Sequence, residues 1–530
     1  MNRILKCLMP LILAGGWPAA WGNGASFTET DRLLVDVQKN LREPALSCAE
    51  LLRVNDVEAR ITSVRWIAES RELPDQCQVF GIIDPEIEFI ARFPAKWNGR
   101  LYVRGNGGDA GESVRGNMAM RERNAALRLG FITTFSNGGH DAAAWPGSRW
   151  AYDSEQREID YSYRALHLNT VVVKELAARY YSEAPTHSYF DGCSTGGGQG
   201  FKAAQRFPED FDGILAGAPV FDPPTLLLHI WHNQRAQQVM QFDAQRVQLL
   251  GEIIMRKYDG VDGVVDGVIG NPAAIDFEPR RDLPQDSGGE NGFTDSEIDG
   301  LAMLYGGLFH NGQQLAPGIP IGAELAGQSY AGDDFAPAED ASAWVDRIIP
   351  GANGGIVMRD VMQDWFRYLL LDRDDPALDW RDIDLDDVLP RMELKRPMLS
   401  AVDPDLQSFR DRGGKLLIYT GWGDIGVNPY LVVDYYERLR ERYGAETGEF
   451  ARLYMIPGMF HCRGGLNVDR FDGMTALINW VEQGKAPDVI PAKRIDDGGT
   501  VRTRPLCPYP AVASYLGAGD VDRAESFECR

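Results

Sequence analysis

The stretch Gly192-Cys193-Ser194-Thr195-Gly196 decides the fold of this chain. It has the form Gly-x-Ser-x-Gly, it follows the apolar run Ser188-Tyr189-Phe190, and residues 198–207 after it are predicted to be helical. In a sharp turn between a strand and a helix, flanking glycines relieve crowding and the serine hydroxyl is held out at the end of the sheet. The pattern predicts that Ser194 is a nucleophile on such an elbow. A tight glycine turn with an incidental serine is the alternative.

Strand and helix signals alternate on both sides of this turn. We predict strands over residues 101–104, 131–135, 213–218, 415–420 and 452–456, and helices over 159–181, 429–443 and 472–483. Between about residues 222 and 400 the alternation gives way to Asp-Gly clusters and scattered aromatic residues. This organisation predicts an α/β-hydrolase core with a large inserted lid domain. Because active-site loops lie at the carboxyl ends of the strands in such a sheet, the insertion would cover the site.

The predicted division of the 530 residues follows from these signals. Residues 1–25 are assigned to a signal peptide, 26–221 to the first part of the core, 222–400 to the lid and 401–530 to the second part of the core. Arg3 and Lys6 precede a short apolar run, and small residues that permit cleavage follow it. This pattern predicts a secreted or periplasmic protein, and a buried N-terminal helix is the alternative.

The acid and base partners of the serine are expected in the order Asp or Glu, then His. Of the seven histidines, only His461 follows a late predicted strand through a glycine loop. Asp424 follows the strand before it, in Gly421-Trp422-Gly423-Asp424. A buried carboxylate there would hold the imidazole in the required tautomer. Asp434 is the second candidate for the acid, but it falls inside a predicted helix.

Two backbone N–H groups are predicted to stabilise an oxyanion. The N–H of Thr195 lies at the start of the helix after Ser194, where the helix dipole favours negative charge. The second donor is expected from an earlier strand-to-helix loop, and Gly105-Asn106-Gly107-Gly108 has that place. Either Gly107 or Gly108 could supply it, and a plain turn is the alternative.

Seven cysteines are present, and Cys7 lies in the apolar N-terminal segment. The other six form an even set, which indicates disulfides in an exported chain, although six cysteines allow 15 pairings. Cys193 and Cys462 adjoin Ser194 and His461, so a bridge between them would fasten the nucleophile to its base. A nucleophilic Cys193 thiol is the alternative.

The overall charge limits the partners of the chain. The formal net charge is −23, and nucleic acids and anionic membrane surfaces are bound by clustered cations. No segment after the N-terminus is apolar enough for a membrane helix. We therefore expect a small-molecule substrate and no nucleic acid or membrane partner.

The chain resembles the tannase and feruloyl esterase family. The matching residues are Cys193-Ser194, Asp424, His461-Cys462 and the loops 421–425 and 105–108. The resemblance implies hydrolysis of esters of phenolic or other aromatic carboxylic acids (feruloyl, galloyl or terephthaloyl). It also implies three disulfides: Cys48 with Cys77, Cys193 with Cys462, and Cys507 with Cys529.

The same resemblance implies a structural Ca²⁺ in the lid. Residues 259–268 read Asp-Gly-Val-Asp-Gly-Val-Val-Asp-Gly-Val. By the resemblance, the ligands are the side chains of Asp259, Asp262 and Asp266 and the carbonyl oxygens of Val264 and Val268. Asp-Gly repeats are otherwise typical of plain turns. Members of the family often enclose this loop with a disulfide, whereas this chain has Tyr258 and Ile275 at the corresponding positions.

These features predict a two-step acyl transfer through a covalent Ser194 intermediate. The lid should select the acyl group, and its aromatic residues are candidates for a pocket or for a core: Trp231, Trp344, Trp365, Phe366 and Trp380. Two alternatives remain at this point. One is a hydrolase of the same fold that acts on a non-aromatic ester or a peptide, and the other is a non-catalytic binding protein.

Overall fold

A computed structural model describes residues 26–116, 120–286, 291–325, 344, 348, 358–496 and 499–530. The predicted signal peptide, residues 1–25, lies outside the described residues. The strands are β1 Arg60–Ile67, β2 Gln76–Ile83, β3 Ile87–Pro94, β4 Arg100–Arg104, β5 Ile132–Ser136, β6 His187–Cys193, β7 Gly213–Gly217, β8 Leu308–His310, β9 Gln313–Ala316, β10 Lys415–Gly421, β11 Ala451–Ile456, β12 Arg470–Phe471, β13 Ile490–Asp496, β14 Gly499–Leu506, β15 Ala513–Tyr515 and β16 Phe527–Cys529.

The α-helices are α1 Met120–Arg128, α2 Glu155–Ile159, α3 Ala165–Tyr181, α4 Thr195–Arg206, α5 Pro223–Met240, α6 Ala244–Tyr258, α7 Pro279–Asp282, α8 Asp295–Gly306, α9 Met358–Tyr368, α10 Leu385–Leu399, α11 Gln407–Asp411, α12 Pro429–Tyr443, α13 Thr447–Phe450 and α14 Gly473–Gln483. None of these described helices is long and apolar enough to cross a bilayer.

Nine strands form the central sheet in the order β1-β2-β3-β5-β4-β6-β7-β10-β11. The pairs from β1 to β5 are antiparallel, and every pair from β5 to β11 is parallel. The carboxyl ends of β4, β6, β7, β10 and β11 therefore lie along one edge. This is the edge where ligand sites form in sheets of this type.

Alternation of side chains along the strands gives the sheet two buried faces. In β10, Leu416 and Ile418 belong to one hydrophobic cluster and Leu417 and Tyr419 to another. Successive side chains of a strand point to opposite faces, so each run of apolar residues covers both. This explains why the predicted strands are short, nearly continuous apolar runs.

Several elements differ from the sequence predictions. The helix predicted over 159–181 consists of α2, a π-helical turn at Asp160–Arg164, and α3. The helix predicted over 198–207 begins earlier, at Thr195. The antiparallel strands β1 to β3 and the hairpin of β13 and β14 were not predicted. β1, β13 and β14 are partly exposed and lack a long apolar run, whereas β2 and β3 are almost wholly buried.

The inserted region packs its aromatic residues inward. Trp231, Trp344, Trp365, Phe366 and Trp380 are all buried in hydrophobic clusters. The cluster around Trp365 also includes Trp150 and Tyr161, which precede the elbow in the chain. These five aromatic residues therefore form the packing of the lid and its contact with the core. The boundaries 222 and 400 stay a prediction.

Candidate active site

Ser194 follows β6 and adopts a backbone conformation that L-residues rarely take, with φ 64° and ψ −124°. Its N–H donates to the Gly217 carbonyl at 2.9 Å, and its own carbonyl accepts from the Val220 N–H at 3.0 Å. Such strained conformations persist only where the surroundings impose them, and they cluster at active sites. The end of β7 supplies that constraint here, and it fixes the predicted elbow in place.

Close packing explains the glycines around Ser194. A β-carbon on Gly192 would lie 2.5 Å from the Gly196 carbonyl, and one on Gly198 would lie 1.9 Å from the Val220 carbonyl oxygen. Any side chain at these positions would push α4 away from the strand ends. The helix that places the Thr195 N–H beside Ser194 therefore depends on this glycine run.

Asp424 and His461 are in direct contact. The Nδ1 of His461 lies 2.6 Å from Oδ2 of Asp424, whose side chain is 1% exposed. The other carboxylate oxygen accepts from the N–H groups of Gly426 at 3.1 Å and Val427 at 2.8 Å. Because these donors fix an ionised carboxylate, Nδ1–H of His461 donates to it, and in this tautomer the ring carries its lone pair on Nε2.

The candidate acid that falls on α12 has a different setting. Asp434 is exposed and pairs with Arg438, one turn along the same helix, at 3.1 Å. A pair at this spacing is an ordinary exposed helix contact. The structure therefore brings Asp424, and not Asp434, to His461.

A disulfide links the residues next to Ser194 and His461. Cys193 and Cys462 are bridged across 269 residues of sequence, with their α-carbons 5.9 Å apart. Cys48–Cys77 and Cys507–Cys529 form the other two bridges. The pairing implied by the family resemblance is therefore confirmed, and Cys193 is not a free thiol. The bridge brings the nucleophile and base loops together.

The glycine loop after β4 distinguishes its two candidate oxyanion donors. The Gly107 N–H donates to Oε1 of Glu112 at 3.1 Å. Gly108 is exposed, has φ +51°, and a β-carbon there would meet nothing within 4 Å. Its carbonyl accepts from the Thr195 hydroxyl at 2.6 Å. The Gly107 N–H thus already has a carboxylate acceptor, whereas Gly108 borders open space beside the elbow.

Glu112 and Asp109 are residues of this loop that the sequence analysis missed. Glu112 accepts from the Asn106 side-chain amide at 2.9 Å as well as from Gly107. Asp109 accepts hydrogen bonds from outside the loop, from Trp365 and Ser148. The only sequence signal for them is an acidic residue in a glycine-rich loop, and acidic residues are common in turns.

The predicted calcium loop is folded around its own carboxylates. Asp259 accepts from the N–H groups of Asp266, Gly267 and Val268, and Asp262 accepts from those of Val264 and Gly270. Asp266 forms an ion pair with Arg504 at 2.5 Å. Within the part of the chain that the structure describes, no three His, Cys, Asp or Glu side chains converge on one metal position.

Electrostatics nevertheless favour a cation at this loop. Asp262 has an exposed surface, but the loop desolvates its carboxyl, and this raises its pKa above the usual value. The charges of Asp266 and Asp259 raise it further, against the hydrogen bonds from Val264 and Gly270 that lower it. Oxygen ligands with excess negative charge are the donor set that Ca²⁺ prefers. Arg504 pairs with Asp266 and offsets part of this charge. The residues present therefore fit the ion as oxygen ligands, and the calcium site stays a prediction.

Comparison with known proteins supports the fold and the family. The profile of "Tannase and feruloyl esterase" matches residues 73–530. The chain belongs to the tannase and feruloyl esterase family. The family is one of esterases, so this member is a carboxylic ester hydrolase with an α/β-hydrolase fold.

Individual relatives in the family cover nearly the whole chain. The mono(2-hydroxyethyl) terephthalate hydrolase of Piscinibacter sakaiensis is 32% identical over 527 residues, covering 87% of this chain and 86% of that protein. The crystal structure of feruloyl esterase B from Aspergillus oryzae matches with a TM-score of 0.76 and 25% identity, covering 90% and 98% of the two chains. Tannin acyl hydrolase from Aspergillus niger matches with a TM-score of 0.68 and 18% identity, over 91% and 94%, and supports the fold alone.

Proposed function

We propose that this family member is an exported serine esterase that cleaves esters of phenolic or other aromatic carboxylic acids. The observation that carries the proposal is the strained elbow at Ser194 and its link to His461 through the adjoining Cys193–Cys462 bridge. His461 in turn is hydrogen-bonded to the buried Asp424. In this scheme His461 Nε2 takes the Ser194 proton as Oγ attacks the ester carbonyl. The proton then passes from Nε2 to the leaving alcohol, and water hydrolyses the acyl-enzyme by the reverse sequence.

The developing oxyanion would be held by two backbone N–H groups. One is Thr195, the first residue of α4, where the helix dipole adds to the N–H. For the other we choose Gly108, since the Gly107 N–H is bound to Glu112. Preorganised donors of this kind each contribute about 10²–10³ to kcat.

Support for the aromatic substrate class comes from the relatives. The names of two relatives at 25% identity or more refer to terephthalate and feruloyl esters. The three disulfides fit an oxidising compartment outside the cytoplasm.

A small substrate panel tests this function. Wild type and Ser194→Ala should be compared on methyl gallate, methyl ferulate and mono(2-hydroxyethyl) terephthalate, with p-nitrophenyl acetate as a non-aromatic reference ester. We expect turnover of at least one aromatic ester by the wild type and none by the variant. Turnover of the reference alone would contradict the aromatic class, and equal activity in Ser194→Ala would contradict the nucleophile.

We also propose that the loop 259–268 binds a structural Ca²⁺ ion. Asp259, Asp262 and Asp266 would contribute carboxylates, with carbonyl oxygens from Val264 and Val268. The desolvation of Asp262 and its repulsion from Asp266 and Asp259, which raise its pKa, support this. A bound cation would neutralise that repulsion and hold the loop to the lid, and it has no part in the acyl transfer.

A further inference from the structure

Asp109 directly follows Gly108, and its carboxyl group joins the oxyanion loop to the lid. Trp365 of lid helix α9 donates its indole N–H to Oδ1 of Asp109 at 2.8 Å. Ser148, a fully buried residue, donates its hydroxyl to Oδ2 at 3.0 Å. Both carboxylate oxygens are therefore bound by side chains outside the loop.

The carboxyl is enclosed between these partners. Desolvation raises the pKa of Asp109 above its usual value, against the Trp365 and Ser148 hydrogen bonds, which lower it. A buried polar group costs free energy if it loses its partners, so the loop and α9 are each stabilised in the position that keeps this contact. Trp365 is itself 4% exposed and packs edge-on against Tyr161.

The other side of the loop is bound to the nucleophile elbow. The Thr195 hydroxyl donates to the Gly108 carbonyl, and the Gly107 carbonyl accepts from the Ala110 N–H at 2.9 Å. The two peptide groups that flank the Gly108 α-carbon are thus oriented by Thr195 and by Ala110. Asp109 is the link from this segment to the lid.

We propose that Asp109 is a positioning residue that couples the seating of lid helix α9 to the oxyanion hole through Trp365 and Ser148. The inference rests on the proposed function, in which the Gly108 N–H binds the oxyanion. When Trp365 holds Asp109, the Gly108 N–H is aimed at the oxyanion position, and the site is complete only with the lid in place. Loss of the contact lowers transition-state stabilisation and leaves ground-state binding of a small ester unchanged.

The decisive variant is Trp365→Phe, which removes the indole N–H and keeps an aromatic ring. Its matched control is Trp231→Phe, because Trp231 lies in the same cluster, is 3% exposed, and donates its indole N–H to the Trp380 carbonyl at 2.9 Å. Each change removes one buried indole hydrogen bond and the same ring volume. Only Trp365 contacts the loop of Asp109 through that bond.

We expect kcat for p-nitrophenyl acetate to fall about 10- to 100-fold in Trp365→Phe, with KM within about twofold of wild type. Trp231→Phe should lower Tm by about as much as Trp365→Phe does, and it should keep kcat within about twofold of wild type. Equal kcat in the two variants would overturn the proposal.

A second series, at Asp109 itself, keeps the test decisive if Trp365→Phe does not fold. Asp109→Ala should show the same loss of kcat. Asp109→Asn retains an oxygen for the Trp365 N–H and an amide that can donate to the Ser148 hydroxyl, so it should recover most of the activity. In the double variant Asp109→Ala/Trp365→Phe the losses should not multiply, since both single changes remove the hydrogen bond between Trp365 and Asp109. Multiplying losses, or an Asp109→Asn as impaired as Asp109→Ala, would contradict the coupling.

The rate at which a fluorophosphonate labels Ser194 separates this inference from the proposed function. Phosphonylation of the serine uses the same oxyanion donors, so Trp365→Phe should be labelled more slowly than Trp231→Phe. If the wild type turns over ester and labels while Trp365→Phe matches the control, the coupling alone fails. If the wild type neither turns over nor labels, the proposed function fails and the coupling with it.

Discussion

Two loops of this protein are rich in Gly and acidic residues but differ in which carboxylates bind other elements. In the loop 105–112, Asp109 binds Trp365 and Ser148 from other elements. In the loop 259–268, Asp259 and Asp262 bind N–H groups of their own loop or of the residues just after it. Each loop also has the other kind of contact, since Glu112 accepts from Asn106 and Gly107 of its own loop and Asp266 pairs with Arg504. The difference is that the carboxylate next to Gly108 binds the lid, whereas two carboxylates of the second loop bind neighbouring backbone N–H groups.

We therefore expect the first loop to affect catalysis and the second to affect thermal stability. Changes at the first loop and at the catalytic residues beside it should alter kcat. Changes at the second loop should alter thermal stability and its response to Ca²⁺, with kcat preserved while the protein stays folded. The following variants test that separation from its strongest to its weakest expected effect.

Removal of the catalytic partners should give the largest effect. We expect His461→Ala to lower kcat by about 10⁶ and Asp424→Asn by about 10⁴, because the acid only orients and stabilises the base. Steady-state kinetics on the substrate found in the panel measures both losses, with circular dichroism as the control for folding. A loss of less than about tenfold in either variant would argue against the assigned role.

The Cys193–Cys462 bridge should affect both stability and kcat. In the chain-entropy account, closing 269 residues stabilises the folded state by about 6 kcal/mol, and closing the 22 residues of Cys507–Cys529 by about 3 kcal/mol. We therefore expect Cys193→Ser/Cys462→Ser to be less stable than Cys507→Ser/Cys529→Ser in urea unfolding. Only the first pair should also lower kcat, since only that bridge adjoins Ser194 and His461. Equal kcat in the two would show that the tether does not align the site.

Removal of Ca²⁺ should lower Tm and leave kcat unchanged at temperatures where the protein stays folded. A ligand at 100 times its Kd stabilises the folded state by about 2.7 kcal/mol, and differential scanning calorimetry with and without a chelator measures the shift. An unchanged Tm, with metal analysis showing that the protein was stripped of calcium, would contradict the site.

Asp262→Asn sharpens the calcium test. Because the pKa of Asp262 is raised in the folded state, the ionised carboxylate disfavours folding above its usual pKa when no cation is bound. In calcium-free protein near neutral pH the variant loses this unfavourable charge but also one of its two acceptor oxygens. Its Tm should therefore lie close to that of wild type, and it should lose the increase on adding Ca²⁺. A variant that is destabilised without calcium and still responds to it would show that the carboxylate has only a structural role.

Asp434→Asn should give the smallest effect and is the matched control for Asp424→Asn. Asp434 is exposed and its partner Arg438 lies one turn away, so its loss should change stability by less than about 1 kcal/mol. We expect kcat to be unchanged. A large loss of kcat in Asp434→Asn would contradict the choice of acid.

The core, the elbow at Ser194 and the pairing of Asp424 with His461 could be predicted from the sequence because local signals mark them. The glycines around Ser194 are required because the chain packs too closely there for a side chain. His461 and Asp424 each follow a buried apolar strand. The cysteines beside Ser194 and His461 added a signal that links two distant segments. Each of these signals lies within a few residues of the group it predicts.

The contacts between the lid and the core could not be predicted in this way. Trp365 and Asp109 are 256 residues apart, and nothing near either residue marks the other as its partner. The same holds for the choice between Gly107 and Gly108, which depends on where the Glu112 side chain folds back. β1 was missed because its side chains are largely exposed and mix charged with apolar residues. β2 and β3 are almost wholly buried, but polar residues such as Gln78 and Arg92 interrupt their apolar runs.

The most direct test of the central claim is to identify the residue that a fluorophosphonate modifies. Wild type, Ser194→Ala and His461→Ala should be treated with the probe, digested and analysed by mass spectrometry. The account predicts one modified peptide, labelled at Ser194, with no labelling in Ser194→Ala and much slower labelling in His461→Ala. Labelling at another residue, or equal labelling in Ser194→Ala, would contradict it.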